Sequence, residues 1–102
     1  MINNRYKLHT RLKELFDDCH IYFQPPSSVK MKYPAIVYDY KRIDNRHANN
    51  AVYNRLICYE VILIDEDPDN ENLSKFMELS KCTFDRHYTS DNLNHYVFTL
   101  YN

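Results

Sequence analysis

Glycine is missing from this sequence of 102 residues, and its absence excludes several kinds of site. Phosphate-binding loops, dinucleotide-binding turns and the nucleophile elbow of hydrolases all need glycine, because each requires a positive φ angle or a close approach of the backbone to a ligand. The turns of this chain must instead depend on Asn, Asp and Pro. Asn is plentiful and tolerates the left-handed region of φ and ψ better than most residues.

A basic excess and a long apolar run are also missing. The formal net charge is −1, so phosphate neutralisation offers little affinity for a nucleic-acid duplex. The longest apolar run is only Val61-Ile62-Leu63-Ile64, far shorter than the roughly 20 residues that span a bilayer. The N-terminal stretch MINNRYKLHTRLKELF is charged throughout and lacks the apolar segment of a secretory signal. We therefore expect a protein that stays in the cytoplasm where it is made and has no membrane partner.

The cysteines give no sign of a disulfide framework or of catalysis. Cys19, Cys58 and Cys82 are odd in number and widely spaced, and no CxxC motif occurs, so we expect reduced thiols. Cys19 precedes His20, but adjacent residues on a strand point to opposite faces and would not form a catalytic pair. No serine has an evident base and oxyanion donor. The sequence predicts that the chain is not an enzyme, has no catalytic residues and needs no cofactor.

The C-terminal region contains a set of residue types that could bind a transition metal. Asp85 and His87 would share a strand face, and a hairpin could bring His95 close to them. The spacings that are typical of structural zinc sites do not occur, however. We therefore interpret these residues as surface or hairpin-stabilising side chains and predict no metal site. The full set is Cys82, Asp85, His87, Asp91 and His95.

The length fits one domain, residues 1–102, and the periodicity of apolar residues divides it into seven elements. Their order, α-β-β-β-α-β-β, predicts an α+β fold in which two helices cover one face of a mainly antiparallel sheet of about five strands. The predicted helices are residues 5–17 and 67–80. The predicted strands are residues 20–24, 34–41, 53–65, 82–88 and 94–101, with a turn at Asp91-Asn92.

The faces of these elements follow from the same patterns. Asp67 is the expected N-cap of the second helix, and Pro68 is its expected first residue. The second half of strand 53–65 is apolar on both sides. The sequence therefore does not decide which face of this strand is buried. The predicted apolar face of the first helix consists of Leu8, Leu12, Leu15 and Phe16, and that of the second of Leu73, Phe76, Met77 and Ser80.

Residues 42–52 are the most polar stretch between two predicted strands. One interpretation is a solvated hairpin loop, and the other is a polar arm that contacts a neighbouring subunit or lines a pore. Eleven residues are many for a hairpin loop, and long loops are more often functional or mobile. The candidate contact residues are Arg42, Asp44, Asn45, Arg46, His47, Asn49 and Asn50.

The ten tyrosines also have two interpretations. Aromatic and basic residues together can stack single-stranded bases, whereas tyrosine on strands also suits protein interfaces because it combines a large apolar ring with a polar tip. The net charge of −1 favours the interface. The candidate assembly face of the strands consists of Tyr38, Tyr40, Tyr53 and Tyr59.

The sequence resembles the small tail-completion proteins of long-tailed phages, also called tail terminators or tail-to-head joining proteins. The resemblance covers nearly the whole chain and contains no catalytic motif. It lies in the helix RLKELF, in YFQPPSSVKMKYPAIVYDY, in RHANNAVYNRLICYEVILID with the following DPD, and in CTFDRHYTSDNLNHYVFTLY.

The resemblance implies a structural protein of the virion neck, assembled in the host cytoplasm. Such proteins form a hexameric ring that caps the tail tube protein and joins it to the head-side connector or stopper protein. DNA then passes through the lumen without sequence-specific contacts.

Three alternatives stay open from the residues. The chain could be a head-side neck component, such as a head-closure or minor capsid protein. It could be a small metal-dependent enzyme that uses Asp85, His87 and His95. It could also bind single-stranded nucleic acid through its tyrosines and through Arg42, Arg46 and Arg55.

Overall fold

The computed structural model describes residues 4–48 and 51–101, without the side chains of residues 43–48 and 51–56. Seven elements follow one another in the predicted order, α-β-β-β-α-β-β. The helices are α1 (Asn4–Leu15) and α2 (Asn72–Glu78). The strands are β1 (His20–Phe23), β2 (Ala35–Ala48), β3 (Ala51–Asp65), β4 (Cys82–Ser90) and β5 (Leu93–Tyr101).

The five strands form one sheet in the order β1-β2-β3-β5-β4. β1 is parallel to β2, and the other three pairs are antiparallel. Both helices pack on the same face of this sheet. The predicted α+β architecture, with a mainly antiparallel sheet and two helices on one face, is therefore confirmed.

The core lies between the helices and this face of the sheet. A stack of three phenylalanine rings runs through it, with centroid distances of 4.3 Å between Phe16 and Phe76 and 4.6 Å between Phe76 and Phe98. From α1 the core also receives Leu8 and Leu12, which are buried together with Phe16 at helical spacing. Leu15 is 39% exposed, so its place in the predicted face was wrong.

The second helix begins later than predicted. Asp67 accepts a hydrogen bond from the backbone N–H of Asp69 at 2.9 Å, and the Asn70 side chain accepts one from the N–H of Asn72 at 2.8 Å. These local turns compete with helix formation, so α2 starts at Asn72. Met77 is 56% exposed, so its place in the predicted apolar face of α2 was also wrong.

A tight turn joins β4 to β5, as predicted. Asp91 and Asn92 both have positive φ angles, 53° and 63°, which is the pattern of a type I′ hairpin turn. A register shift between Phe84 and Arg86 changes which side chains share a face. His87 is therefore opposite Tyr96, on the helix-covered face.

The largest difference from the sequence prediction lies in residues 42–52. These residues were expected to form a loop, but β2 continues to Ala48 and β3 begins at Ala51. The two strands form one long hairpin, with Ala48 opposite Ala51. The prediction failed because the strand signal is apolar alternation, and a ribbon outside the sheet has no face that must be apolar.

Candidate interaction site

The end of the β2–β3 hairpin projects from the sheet as a two-stranded arm, which we define as residues 43–48 and 51–57. β1 pairs with β2 only up to Tyr38, and β5 pairs with β3 only from Cys58 onward. Between Ile43 and Ala48 the two strands therefore pair with each other alone. At about 3.3 Å per residue the arm is about 20 Å long, and the chain measures 51 × 28 × 24 Å along its principal axes.

An arm of this kind has little stability of its own. A two-stranded ribbon is marginal in water, because three strands or a packed face are needed to bury enough apolar surface. Register shifts at Tyr40/Arg42 and at Arg46/His47 interrupt the ladder further. The outer backbone edges of both strands also lack a partner strand in the described chain. The pairing of its two strands therefore contributes little stability to the arm.

The base of the arm rests on a cluster of four aromatic rings, which we call the root cluster. Its centroid distances are 5.0 Å for Phe23–Tyr38, 5.4 Å for Phe23–Tyr40, 6.1 Å for Tyr38–Tyr59 and 5.3 Å for Tyr40–Tyr59. The guanidinium of Arg5 lies 4.4 Å above the Phe23 ring. This packing connects α1, β1 and the two arm strands, so it fixes the direction in which the arm leaves the sheet.

Two buried tyrosines of the root cluster have different hydroxyl environments. The Tyr38 hydroxyl lies 2.6 Å from Nδ1 of His9, whereas the buried Tyr59 hydroxyl has no hydrogen-bond partner. Burial, followed by the nearby Tyr40 and Tyr38, raises the pKa of Tyr59 to about 12. Tyr59 therefore stays neutral, and its unpaired hydroxyl costs about 1–3 kcal/mol of desolvation.

The second candidate surface is the face of the sheet away from the helices, which we call the open face. Val37, Ile62 and Val97 form one row across β2, β3 and β5. Val97 is fully buried, and the other two are half-buried. Both helices pack on the opposite side, so this row forms an apolar strip that no helix of the described chain covers.

Two carboxylates lie next to the apolar strip, towards the arm. Asp39 is opposite Glu60, and Glu60 is opposite Thr99. Among the described side chains neither acid is in an ion pair, and the ammonium of Lys41 donates instead to Thr99 at 3.2 Å. The open face thus combines an apolar strip with a cross-strand pair of negative charges.

The structure places the predicted contact residues mostly in the arm. Arg42 is exposed at the root, where its guanidinium donates to the Tyr101 hydroxyl and lies 5.5 Å from the ring centroid. Asn49 and Asn50 lie outside the described residues. The backbones of the remaining four lie in β2, with side chains outside the described part: Asp44, Asn45, Arg46 and His47.

The tyrosines of the predicted assembly face differ in their burial. Tyr38 and Tyr59 are fully buried in the core, whereas Tyr40 is 41% exposed. The side chain of Tyr53 lies outside the described residues. Only Tyr40, of the three described rings, therefore offers surface to a partner.

The predicted potential metal ligands at the C-terminus do not come together. The register shift puts His87 on the helix-covered face, where its ring stacks on Tyr96 at 4.7 Å. His95 lies on the open face and stacks on Tyr88 at 4.6 Å. Within the part of the chain that the structure describes, no three His, Cys, Asp or Glu side chains are placed to hold a metal ion.

The thiols of Cys19 and Cys82 are held in their protonated form. Burial and the adjacent Asp18 raise the pKa of Cys19 to about 12, and burial raises the pKa of Cys82 to about 11. A nucleophilic cysteine needs the opposite shift, because the thiolate is the reactive form. These two thiols therefore have the character of packing residues.

The open face was missed by sequence reasoning. Its one available signal was strand 53–65, in which the charged residue Glu60 interrupts an apolar run.

No helix in the described chain is long and apolar enough to cross a membrane. The sequence matches no protein-family model and has no significant match among curated proteins.

Proposed function

We propose that this chain is a structural protein of a phage neck, which caps the tail tube as an oligomeric ring and joins the tail to the head-side connector. The arm is the observation that carries the proposal. It contributes nothing to the pairing of β1, β4 or β5, which supports a role for the arm in contacts outside the protomer. The resemblance of the sequence to tail-completion proteins supports the phage neck as the assembly in which such contacts are made.

The protected edges of the sheet support an assembly through the arm rather than through strand addition to the body. β1 has four residues and is followed by Gln24, with a φ of 45°, and by Pro25-Pro26. β4, at the other edge, carries the bulge at Phe84/Arg86. Short strands, prolines and bulges are features that prevent edge-to-edge pairing. The arm and the open face are then the main surfaces left for partners.

Excision of the arm tests the proposal. Residues 44–56 are removed, and Ile43 and Ile57, which are directly opposite each other, are joined by an Asn-Gly dipeptide that suits a two-residue hairpin turn. The variant is expected to unfold cooperatively, because the other strand pairs are intact. It is also expected to lose head–tail joining when added to phage heads and tails that lack this protein.

Electron microscopy of the mixture gives the readout, since joined particles and free tails are distinct. A matched control keeps the arm and replaces exposed lysines of α1, Lys7→Ala and Lys13→Ala, and is expected to join as the unmodified chain does. Joining by the folded arm-less variant would overturn the proposal. Binding to isolated connectors but not to tail tubes would place the protein on the head side of the neck instead.

A further inference from the structure

We propose that the exposed face of α1 binds the phosphate backbone of nucleic acid without reading its sequence. The contacts come from Lys7, Arg11 and Lys13, which α1 presents to solvent together with the exposed ring of Tyr6. The proposal is independent of the proposed function, because it concerns α1, whereas the proposed function rests on the arm.

The basic side chains of α1 form a surplus of positive charge. The core side of the helix is buried against the sheet, and Lys7, Arg11 and Lys13 are all exposed on its other sides. None of the three forms an ion pair or a hydrogen bond with the described side chains. Arg5 is not counted, because its guanidinium packs over a ring of the root cluster. The one acid within the helix is Glu14, so most of this charge is not compensated on α1.

Many acidic residues of the chain lie elsewhere, at the end of the sheet away from the arm. Asp65 ends β3 there and pairs with Asn94 close to the β4–β5 turn. The Asn72 side chain donates to Asp18 at 3.0 Å, so the segment after α1 reaches the same end. The loop between β3 and α2 adds Glu66, Asp67, Asp69 and Glu71. The net charge of −1 therefore combines separate regions and does not describe the face of α1.

The composition of this face favours nucleic acid over a protein or a membrane. A protein interface has a centre that is poor in charge, whereas the exposed positions between the cations of α1 are Tyr6, Thr10 and Glu14. A helix that binds a membrane inserts its apolar face, but that of α1 is already buried in the core. Interfaces with nucleic acid are polar and strongly positive. Tyr6, which is 70% exposed, adds a ring that can stack on an unpaired base.

The positions of the cations suit a repeating array of phosphates. Lys7 and Arg11 are four residues apart, so they form a row along one side of the helix with a rise of about 6 Å. Each strand of a duplex carries one phosphate about every 3.4 Å, and long side chains can reach successive phosphates from such a row. Asp17 and Asp18 are exposed just beyond the helix and limit the footprint. We therefore expect contacts to about three phosphates, from Lys7, Arg11 and Lys13.

Binding to duplex DNA of random sequence tests the proposal. The probe is a fluorescein-labelled duplex of about 20 base pairs, and its anisotropy is measured between about 50 and about 200 mM salt. For the unmodified chain, the plot of log K against log salt concentration is expected to have a slope of about −3, because the slope counts the neutralised phosphates. The affinity should therefore fall about 60-fold across this range.

Removal of the two lysines of α1 gives the decisive comparison. For Lys7→Ala with Lys13→Ala, the slope is expected to become about −1. Alanine preserves the helix, which circular dichroism checks. The matched control, Lys30→Ala with Lys32→Ala, removes the same charge from exposed positions of the β1–β2 loop and should keep the slope. Glu14→Gln removes the acid of α1 and is expected to bind about twofold more tightly.

Three results would overturn the proposal. The unmodified chain could show no salt-dependent binding at about 1 mM protein, which is above the usual range for non-specific binding. The control pair could weaken binding as much as the α1 pair does. Polyglutamate of equal charge could displace the probe at a lower concentration than unlabelled duplex, which would assign the face to an acidic protein instead.

The same substitutions distinguish this proposal from the proposed function. Lys7→Ala with Lys13→Ala is expected to join heads to tails normally and to bind DNA weakly. The arm-less variant is expected to lose joining and to keep the DNA binding that depends on α1. Failure of one proposal is therefore seen in its own assay and leaves the other assay unaffected.

Discussion

Asp39 and Glu60 lie directly opposite each other on the neighbouring antiparallel strands β2 and β3. Directly opposed side chains have Cβ atoms about 5 Å apart, and like charges at such positions destabilise a sheet. Asp39 has compensating hydrogen bonds, since its carboxylate accepts from the Gln24 side chain and from the N–H of Tyr40 at 2.6 Å. Glu60 has no hydrogen bond or ion pair among the described residues.

Neutralising Glu60 should therefore stabilise the isolated chain. We expect Glu60→Gln to raise the free energy of unfolding by about 0.5 kcal/mol, measured by urea denaturation at a protein concentration at which the chain is monomeric. Glu14→Gln, at an exposed position of α1, is the matched control and should change little. A loss of stability in Glu60→Gln would mean that the carboxylate has a favourable role in the single copy.

The unpaired hydroxyl of Tyr59 leads to a second prediction. Because this buried group has no hydrogen-bond partner, Tyr59→Phe removes a desolvation cost and keeps the ring packing. We expect the free energy of unfolding to rise by about 1 kcal/mol, measured by chemical denaturation.

Tyr38→Phe is the companion variant, because the Tyr38 hydroxyl lies 2.6 Å from Nδ1 of His9. Losing this hydrogen bond should lower the free energy of unfolding by about 1 kcal/mol. The two tyrosines are buried in the same cluster. Opposite changes in the free energy of unfolding for the two variants would therefore show the effect of the hydroxyl environment alone. Equal destabilisation by both variants would argue against an orphan hydroxyl at Tyr59.

The environment of His9 predicts a pH dependence of stability. Burial, followed by the nearby Lys13 and Arg5, lowers the pKa of His9 below its ordinary value of 6.5. The unfolded chain therefore binds a proton at this site more readily than the folded chain. Its stabilising contribution is complete above pH 6.5 and is lost as the pH falls below that value towards the folded-state pKa.

The prediction is checked by urea denaturation at about pH 7.5 and about pH 5.5. On acidification, the free energy of unfolding should fall less for His9→Gln than for the unmodified chain. His20→Gln, at an exposed position of β1, should keep the full decrease. If His9→Gln and the unmodified chain had parallel pH profiles, His9 would not be the group responsible.

The turn between β4 and β5 gives a prediction that follows from the lack of glycine. Asn92 has a φ of 63°, a conformation that costs a residue with a Cβ about 1–2 kcal/mol. We expect Asn92→Gly to raise the free energy of unfolding by about 0.5 kcal/mol and Asn92→Ala to lower it by about 1 kcal/mol. Thermal denaturation of both variants would show their order of stability relative to the unmodified chain. An Ala variant more stable than the unmodified chain would contradict the turn geometry.

Much of the fold could be predicted from local patterns. The spacing of Leu8, Leu12 and Phe16 identified the buried side of α1, and Asp91-Asn92 identified the hairpin turn, because helical spacing and left-handed turn residues are properties of a short segment. The helix start at Asn72 was missed for a local reason as well. Competing Asx turns at Asp67 and Asn70 cannot be weighed against a helix from residue types alone.

The candidate site was much less accessible to sequence reasoning. The polar residues 42–52 were interpreted either as a solvated hairpin loop or as a contact arm, but their paired backbone was not predicted, since a ribbon without a buried face shows no apolar alternation. Tyr38, Tyr40 and Tyr59 share one side of the sheet, yet the first and last are buried and Tyr40 is partly exposed. Their burial depends on α1 and β1, which are distant in the sequence.

The sequence by itself determined the fold class, because glycine-free turns, two amphipathic helices and five β-rich segments are each fixed by neighbouring residues. Only the tertiary structure decided that β2 and β3 extend beyond β1 and β5, that the shift at Phe84/Arg86 separates His87 from His95, and that Asp39 meets Glu60 on the face of the sheet away from the helices. These three features depend on register, and register is set by the packing of the whole sheet rather than by any one strand.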